Sequence, residues 1–175
     1  MQMVRKVEYK LQNGLIGVVA DTHIPARAWS LPPKLFSLLK GVDLILHAGD
    51  LEQEYVLEEL KALAPVEAVA GNMDPHQLVG KLGKEKLIDL GEICIGLVHG
   101  WGGRQDLHER VFELFRGEEV QAVVFGHTHY PFQEYRRGVL LFNPGSVGDP
   151  RWGSSASCGR LQVKDGKLEG ENLVL

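Results

Sequence analysis

The chain has 175 residues and a formal net charge of -4, from 19 Lys+Arg against 23 Asp+Glu. This length predicts one domain over residues 1–175, because domains usually contain about 100–200 residues. No basic cluster indicates a nucleic-acid track, so binding to long nucleic acid is disfavoured. The N-terminus lacks the apolar stretch of a signal peptide, and no apolar run approaches the roughly 20 residues of a membrane span. We therefore expect a cytoplasmic protein that does not contact membranes.

Short apolar runs alternate with helical patterns through the first two thirds of the chain, which predicts βαβ units and a largely parallel sheet. Val4–Leu11 is a candidate first strand that ends at Asn13-Gly14. Further strands are predicted at Leu15–Ala20, Val42–Ala48, Val66–Ala70, Ile93–Val98 and Val120–Phe125. Apolar spacing and end signals predict helices at Pro32–Lys40, Glu52–Leu63 and Gln105–Phe115.

After His129 the pattern becomes one of strands only. They are predicted at Phe132–Arg136, Val139–Phe142, Arg160–Lys164 and Lys167–Val174. Asp165-Gly166, between the last two, is a strong signal for a two-residue hairpin. We expect this meander to form a second, more antiparallel sheet against the first, with helices outside. The two cysteines lack a CxxC pattern, which favours small core residues over a disulfide or zinc ligands.

Side chains that can bind a metal ion follow the ends of five apolar runs. The seven residues are Asp21, His23, Asp50, Asn72, His99, His127 and His129. Taken singly, each would more often be a helix cap or a hydrogen-bonded loop residue. Side chains at the carboxyl ends of strands in an α/β sheet converge on one crevice, however. The set therefore predicts a single pocket that holds two metal ions.

Other residues near these turns have a functional and a structural interpretation. His47 is interpreted as a core or supporting residue, and His108 as a solvated helix residue. His76 lies close enough to Asn72 to enter the pocket, although a loop role is favoured. Trp101 is a candidate for stacking on a base, with loop packing as the alternative. Arg151 has the same alternative, but contact with the substrate phosphate is preferred.

The ordered motifs Asp-x-His, Gly-Asp, Gly-Asn, His-Gly and Gly-His-x-His resemble those of the calcineurin-like metallophosphoesterase superfamily. The later segments 143–146 (NPGS) and 149–151 (DPR) are similar to its small phosphodiesterases of the bacterial YfcE type. The resemblance runs from about Gly17 to Arg160 and so covers nearly the whole chain. It implies an α/β fold, a four-layer α/β/β/α sandwich of two mixed sheets flanked by helices.

The resemblance also implies a role for each candidate residue. Asp50 would bridge two metal ions. The first ion would also be bound by Asp21, His23 and His129, and the second by Asn72, His99 and His127. Catalytic roles would fall to Asp50, Asn72 and His99, and substrate contacts to Asn72, Asn143 and Arg151. Because residues i and i+2 of an extended segment face the same way, an extended Gly126–His129 turn would point both imidazoles inward.

Mixed oxygen and imidazole ligands favour Mn²⁺, Fe²⁺, Ni²⁺ or Zn²⁺ over Mg²⁺ or Ca²⁺. The resemblance makes Mn²⁺ the first choice. Two ions roughly 3.5–4 Å apart clamp the attacking and leaving oxygens of an in-line displacement, and they make hydroxide available near neutral pH. The predicted function is that of a dinuclear phosphodiesterase, which hydrolyses a small-molecule phosphodiester by attack of metal-bound hydroxide.

One segment departs from the superfamily pattern. Its phosphatases and double-strand-break nucleases have Gly-Asn-His-Asp, in which the His is thought to assist the leaving group, whereas this chain has Met73 at that position. A thioether cannot donate a proton, so no general acid is predicted there. Many of the small phosphodiesterases also have a second His after His-Gly, where this chain has Trp101.

Two other functions stay open. One is a phosphomonoesterase or nucleotidase that uses the same centre. The other is a protein-binding scaffold, as in the retromer subunit of this fold. Broken ligand motifs would favour the scaffold, but all seven positions here have competent donors. The oligomeric state also stays open, with a homo-oligomer among the alternatives.

Overall fold

The computed structural model describes residues 4–175, which contain eleven strands and four helices. The strands are Arg5–Glu8 (β1), Gly14–Val19 (β2), Leu44–His47 (β3), Val66–Ala68 (β4), Glu85–Asp89 (β5), Cys94–Val98 (β6), Ala122–Val124 (β7), Pro131–Arg136 (β8), Val139–Pro144 (β9), Ser157–Lys164 (β10) and Lys167–Val174 (β11). The helices are Pro33–Leu38 (α1), Tyr55–Lys61 (α2), His76–Leu82 (α3) and Leu107–Leu114 (α4).

The strands form two mixed sheets. The six-stranded sheet has the order β1-β5-β6-β7-β9-β8, with antiparallel pairing at β5–β6 and β8–β9 and parallel pairing elsewhere. The five-stranded sheet has the order β11-β10-β2-β3-β4, in which β2, β3 and β4 are parallel.

Apolar side chains divide the molecule into layers. Val18 and Leu97 are buried between the two sheets, whereas Val19 faces the opposite side of β2 because side chains alternate along a strand. Leu60 of α2 packs on the outer face of the five-stranded sheet, and Val111 of α4 on the outer face of the six-stranded sheet. The predicted fold class is confirmed: two mixed sheets lie between helical layers.

The predicted division of the strands between the sheets is wrong. The C-terminal strands do not form a sheet of their own, because β8 and β9 join the six-stranded sheet and β10 and β11 join the five-stranded one. Strand β9 is buried along nearly its whole length and therefore needs a strand on each side; it pairs with β7 and β8. The hairpin at Asp165-Gly166 is confirmed, with Lys164 opposite Lys167 and both turn residues at positive φ.

The helices are shorter than predicted. Glu52, which was expected to begin a helix, has a φ of 76° and lies outside α2. Helix α3 and strand β5 were not predicted, although Pro75, Gly83 and Gly91 mark their ends. Within residues 4–175, no helix has both the length and the apolar character that crossing a membrane requires.

Candidate metal centre

The candidate ligands come from turns at the carboxyl ends of strands in both sheets. Asp21 and His23 follow β2, Asp50 follows β3, and Asn72 follows β4 of the five-stranded sheet. From the six-stranded sheet, the donors are His99 after β6 and His127 and His129 after β7. Because the sheets pack face to face, the two groups of turns meet at one edge of the sandwich.

Most of these turns have a left-handed backbone. Five of the seven candidate ligands have positive φ, namely Asp21, His23, Asp50, His127 and His129. The expectation of an extended Gly126–His129 segment is therefore wrong. Instead the segment turns sharply, with Thr128 N donating to Gly126 O at 2.8 Å. The two imidazoles still reach the centre, where His127 Nδ1 is 3.0 Å from Asn72 Oδ1 and His129 Nε2 is 3.1 Å from Asp21 Oδ1.

One group of donors is formed by Asp21, His23, Asp50 and His129, whose ligand atoms all lie within 4.8 Å of one another. Asp21 Oδ1 is 3.1 Å from His129 Nε2 and 3.7 Å from His23 Nε2. His23 Nε2 is 3.2 Å from His129 Nε2. Donor atoms that share one ion at about 2.1 Å lie roughly 3–3.5 Å apart, so this spacing fits a common cation.

A second group lies next to it. His99 Nε2 is 3.2 Å from both Asp50 Oδ2 and Asn72 Oδ1. His127 Nδ1 is 3.0 Å from the same Asn72 oxygen. Asp50 Oδ2 is also 3.6 Å from His23 Nε2. The Asp50 carboxylate thus contacts both groups, which is the place that a bridging ligand requires.

The chemistry of the donors fits bound metal ions. Asp21 Oδ1 is buried without a hydrogen-bond partner among residues 4–175, although imidazole nitrogens surround it. Each histidine also has its other ring nitrogen bonded to a carbonyl or carboxylate oxygen, as metal-ligating histidines do. These oxygens are Glu52 Oε1 for His23, Ala48 O for His99, Gly102 O for His127 and Asp149 O for His129.

The buried carboxylates draw positive charge into the centre. Burial alone would raise the pKa of Asp21, but His129 and His23 outweigh that effect and hold its pKa below the usual range. Burial likewise disfavours a charged His99, yet Asp50 and Asp21 raise its pKa to about 9. A proton on His99 thus occupies a position that a cation would take, since a histidine must be neutral to bind metal.

Two carboxylates that the sequence did not single out shape the centre. Glu52 Oε1 is 2.9 Å from His23 Nδ1 and orients that ring. Buried Asp74 accepts hydrogen bonds from the backbone N–H groups of Asp50 (3.0 Å), Glu52 (2.6 Å) and Gly71 (2.8 Å). The Gly-Asn-Met-Asp motif could have indicated Asp74, whereas the left-handed turn that places Glu52 has no clear signal.

Gly49 permits the close approach of the two sheets at the centre. Its φ is 93°, and a Cβ there would lie 2.8 Å from both Gly71 N and His99 Nδ1. A side chain would therefore separate the turn that carries Asp50 from the strand end that carries His99.

The remaining histidines have other surroundings. Buried His47 accepts a hydrogen bond from Gly49 N at 3.1 Å and lies 3.2 Å from Thr22 Oγ1; burial lowers its pKa to about 3. His47 therefore contacts the turns that carry the candidate ligands and is not itself placed as a ligand. His76 is exposed in the first turn of α3. His108 was expected to be solvated, but it is half-buried and stacks on Phe132, with ring centroids 4.8 Å apart.

The prediction that Asn143 binds substrate is wrong. Its side chain is fully buried, and its amide bonds Gly126 O, Thr128 Oγ1 and Gly145 N. It fixes the turn that carries His127 and His129, and it has no free group for a substrate. Arg151 is exposed and pairs with Asp149, with Nη2 2.7 Å from Oδ2. Asp149 in turn lies 3.4 Å from His129 Nδ1, so Arg151 is near the centre.

Comparison with known proteins agrees with this architecture. The family model of the calcineurin-like phosphoesterase superfamily domain matches residues 15–166. A probable metallophosphoesterase of Methanothermobacter thermautotrophicus is 41% identical over 161 residues, covering 90% of each chain. One from Methanocaldococcus jannaschii is 40% identical over 159 residues, covering 90% of this chain and 79% of its own.

Among solved structures, wild-type Vps29 of Entamoeba histolytica complexed with Zn²⁺ is similar, with a TM-score of 0.70 and 26% identity. The likeness covers 91% of this chain and 98% of that one. The family model spans most of the chain, and both archaeal relatives are well above 30% identical along most of its length. The chain therefore belongs to the calcineurin-like phosphoesterase superfamily.

Proposed function

We propose that this metallophosphoesterase is a dinuclear phosphodiesterase acting on a small-molecule phosphodiester in the cytoplasm. The observation that carries the proposal is the position of Asp50. Its Oδ2 atom lies 3.6 Å from His23 Nε2 in one donor group and 3.2 Å from His99 Nε2 in the other. A carboxylate shared in this way is suited to hold two cations at the spacing that in-line displacement at phosphorus needs.

The proposed metal ions are Mn²⁺, with Fe²⁺, Ni²⁺ or Zn²⁺ as alternatives, because imidazole ligands are present in both groups. Bound ions would supply Lewis acidity toward the phosphoryl oxygens and hydroxide near neutral pH. Asp21, His23 and His129 would hold one ion and Asn72, His99 and His127 the other, with Asp50 shared. Asn72 contributes a neutral amide, so the centre keeps an excess of positive charge for an anionic ester.

Met73 stands where a proton donor to the leaving group would be expected, and this favours diesters whose leaving groups depart readily as anions. The Met73 side chain is exposed beside the centre, and its backbone N–H donates to Asp50 Oδ1 at 2.8 Å. A thioether has no proton to give to a departing alkoxide. The enzyme therefore lacks, at this position, the rate gain of roughly 10²–10⁴ that a placed general acid provides.

The test is a comparison of kcat/KM for p-nitrophenyl diesters and monoesters, followed by diesters of increasing leaving-group pKa. We expect diesters to be hydrolysed faster than monoesters, and rates to fall steeply as the leaving-group pKa rises. Met73→His should make that dependence shallower, because it adds a proton donor at the matching position. Met73→Leu, which has similar volume and no donor, is the control and should retain the steep dependence.

Two results would contradict the proposal. Faster turnover of monoesters would favour a phosphomonoesterase or nucleotidase on the same centre. A flat dependence on leaving-group pKa in the wild-type protein would mean that another residue donates the proton, with His76 the first candidate because it follows Asn72 closely in sequence.

The scaffold alternative is favoured by one observation, the likeness to Vps29. Because that protein is itself described in complex with Zn²⁺, metal binding alone does not separate a scaffold from an enzyme. Hydrolysis does. A metal-loaded protein that cleaves neither diesters nor monoesters would support a scaffold.

A further inference from the structure

A pocket of about 320 Å³ opens directly beside the second donor group. Asn72 and His99 line one end of it, so it is continuous with the candidate metal centre. Small-molecule sites usually have volumes of roughly 300–1,000 Å³. A substituent on a phosphate bound at these two residues would therefore have space to enter the pocket.

The pocket wall is mainly apolar. Val98, Leu114 and Ala70 contribute to it, together with Trp101, which is 46% exposed. An indole that is half accessible inside a pocket offers a flat surface on which another ring can pack. Lys84 and Glu85 also line the pocket, and their opposite charges give it no net preference for a second anion.

Trp101 lies on a loop that is fixed at several points. Arg110 donates from Nη2 to Trp101 O at 2.8 Å and from Nη1 to Gln105 O at 3.0 Å. The next residue, Gly102, has its carbonyl 2.7 Å from Nε2 of the candidate ligand His127. The backbone that carries the indole is thus ordered before a ligand arrives, which lowers the entropy that binding costs.

We propose that this pocket binds an aromatic group of the substrate, such as an aryl ring or a nucleobase, against Trp101. The substrate class is then an aromatic or nucleoside phosphodiester, oriented with its phosphate at Asn72 and His99. This inference rests on the proposed phosphodiesterase function. It adds a specificity determinant that does not touch the reacting atoms.

The test measures binding by calorimetry. Phenylphosphonate and methylphosphonate, which carry a phenyl and a methyl group on the same phosphonate, are titrated into the Mn²⁺-reconstituted protein. We expect the phenyl compound to bind about 2- to 13-fold more tightly, as an aromatic contact of roughly 0.5–1.5 kcal/mol implies. Trp101→Ala should remove the difference, while Trp101→Phe should keep most of it. Trp29→Ala is the matched control, since Trp29 is an indole that is 92% exposed on another loop, and this variant should match the wild-type protein.

Several results would overturn the proposal. The first is wild-type protein that binds both compounds equally or binds neither. The second is a preference for the phenyl compound that survives in Trp101→Ala, and the third is a preference that Trp29→Ala also abolishes. If the preference is absent and Trp101→Ala instead dissociates an oligomer in light scattering, the indole belongs to an interface between copies. Failure of the proposed function gives a different result: the phenyl preference and its loss in Trp101→Ala would be seen, but no diester would be hydrolysed.

Discussion

At the scale of single residues, the centre depends on backbone conformations that L-amino acids rarely adopt. Asp21, Asp50 and His127 are among the candidate ligands with positive φ, a conformation that costs on the order of 1–3 kcal/mol at a non-glycine residue. Hydrogen bonds hold these turns, including Asp21 N to Gly49 O at 3.0 Å and His127 N to Asp21 Oδ2 at 3.1 Å. The turns therefore support one another across the two sheets.

Glu52 provides a direct test of this mutual support. Its carboxylate fixes the orientation of the His23 ring, and removal of such a partner typically reduces metal affinity about 10–100-fold. We expect Glu52→Ala to weaken the binding of one of two Mn²⁺ equivalents by this factor and to leave the other nearly unchanged. A two-phase calorimetric titration of the metal-free protein measures both affinities.

The control for Glu52 is Glu58→Ala on the same segment. Glu58 is exposed on α2 and pairs with Lys61, with Nζ 2.7 Å from Oε1, so it should not affect Mn²⁺ binding. Equal effects of the two substitutions, or an unchanged affinity in Glu52→Ala, would show that Glu52 does not position His23.

The candidate ligands were predictable from the sequence because each one directly follows an apolar strand. Their supporting residues were harder to predict. Glu52 reads as the acidic first turn of a helix, and only the left-handed φ at this residue directs its carboxylate toward His23. Asn143 is the opposite case, a residue predicted to be functional that has a supporting role. Its motif suggests a substrate contact, whereas its amide is buried and donates to Gly126 O in the turn before His127. Motif position alone does not show where a polar side chain points.

At the scale of elements, polar side chains join the two sheets at the edge formed by β1, β5 and β4. Tyr9, just after β1, donates from its hydroxyl to Glu67 Oε1 of β4 at 2.8 Å. Lys86 of β5 approaches the other oxygen of the same carboxylate at 2.9 Å. Glu67 thus connects the edge strand of the five-stranded sheet to two strands of the six-stranded sheet.

We expect Tyr9→Phe to reduce stability by about 1 kcal/mol at pH 8, since it leaves Glu67 with one partner fewer. Burial and Glu67 raise the pKa of Tyr9 to about 12, above the unfolded value of about 10. A raised pKa gives stability that is present below pH 10 and is lost as the pH rises toward 12. The difference in unfolding free energy between the wild-type protein and Tyr9→Phe should therefore shrink as the pH rises from 10 to 12.

Urea denaturation of both proteins at pH 8, 10 and 11.5 measures this effect. A difference in unfolding free energy that stays constant with pH would mean that the Tyr9 hydroxyl is not held neutral by Glu67. No difference at pH 8 would mean that the contact does not stabilise the fold.

The elements themselves were mostly predictable, but their partners were not. Alternating or continuous apolar runs indicated ten of the strands, while β5 (EKLID) is short and charged at its start. Strand patterns do not specify a neighbour, so the sequence did not show that β9 lies beside β7 rather than beside β10. The pairing is decided by which arrangement covers β9 on both edges and both faces, and this depends on the whole core.

At the scale of the molecule, the candidate metal centre is a second place where polar side chains from both sheets meet. Asp21, His23, Asp50 and Asn72 come from the five-stranded sheet, and the other donors come from the six-stranded sheet. Cations bound there would connect distant parts of the chain, and the unfolded chain offers no such site. Two cations can be held there only if one carboxylate, Asp50, lies beside donors from both sheets, as its contacts with His23 and His99 place it.

The metal content of the purified protein tests this claim most directly. After reconstitution with Mn²⁺ and dialysis, elemental analysis should give about two equivalents per chain for the wild-type protein and fewer than one for Asp50→Asn, because that substitution weakens both groups. Asp106→Asn is the matched control: Asp106 also has a left-handed backbone, but it is exposed before α4, and this variant should keep two equivalents. One equivalent or none in the wild-type protein, or two in Asp50→Asn, would contradict the account.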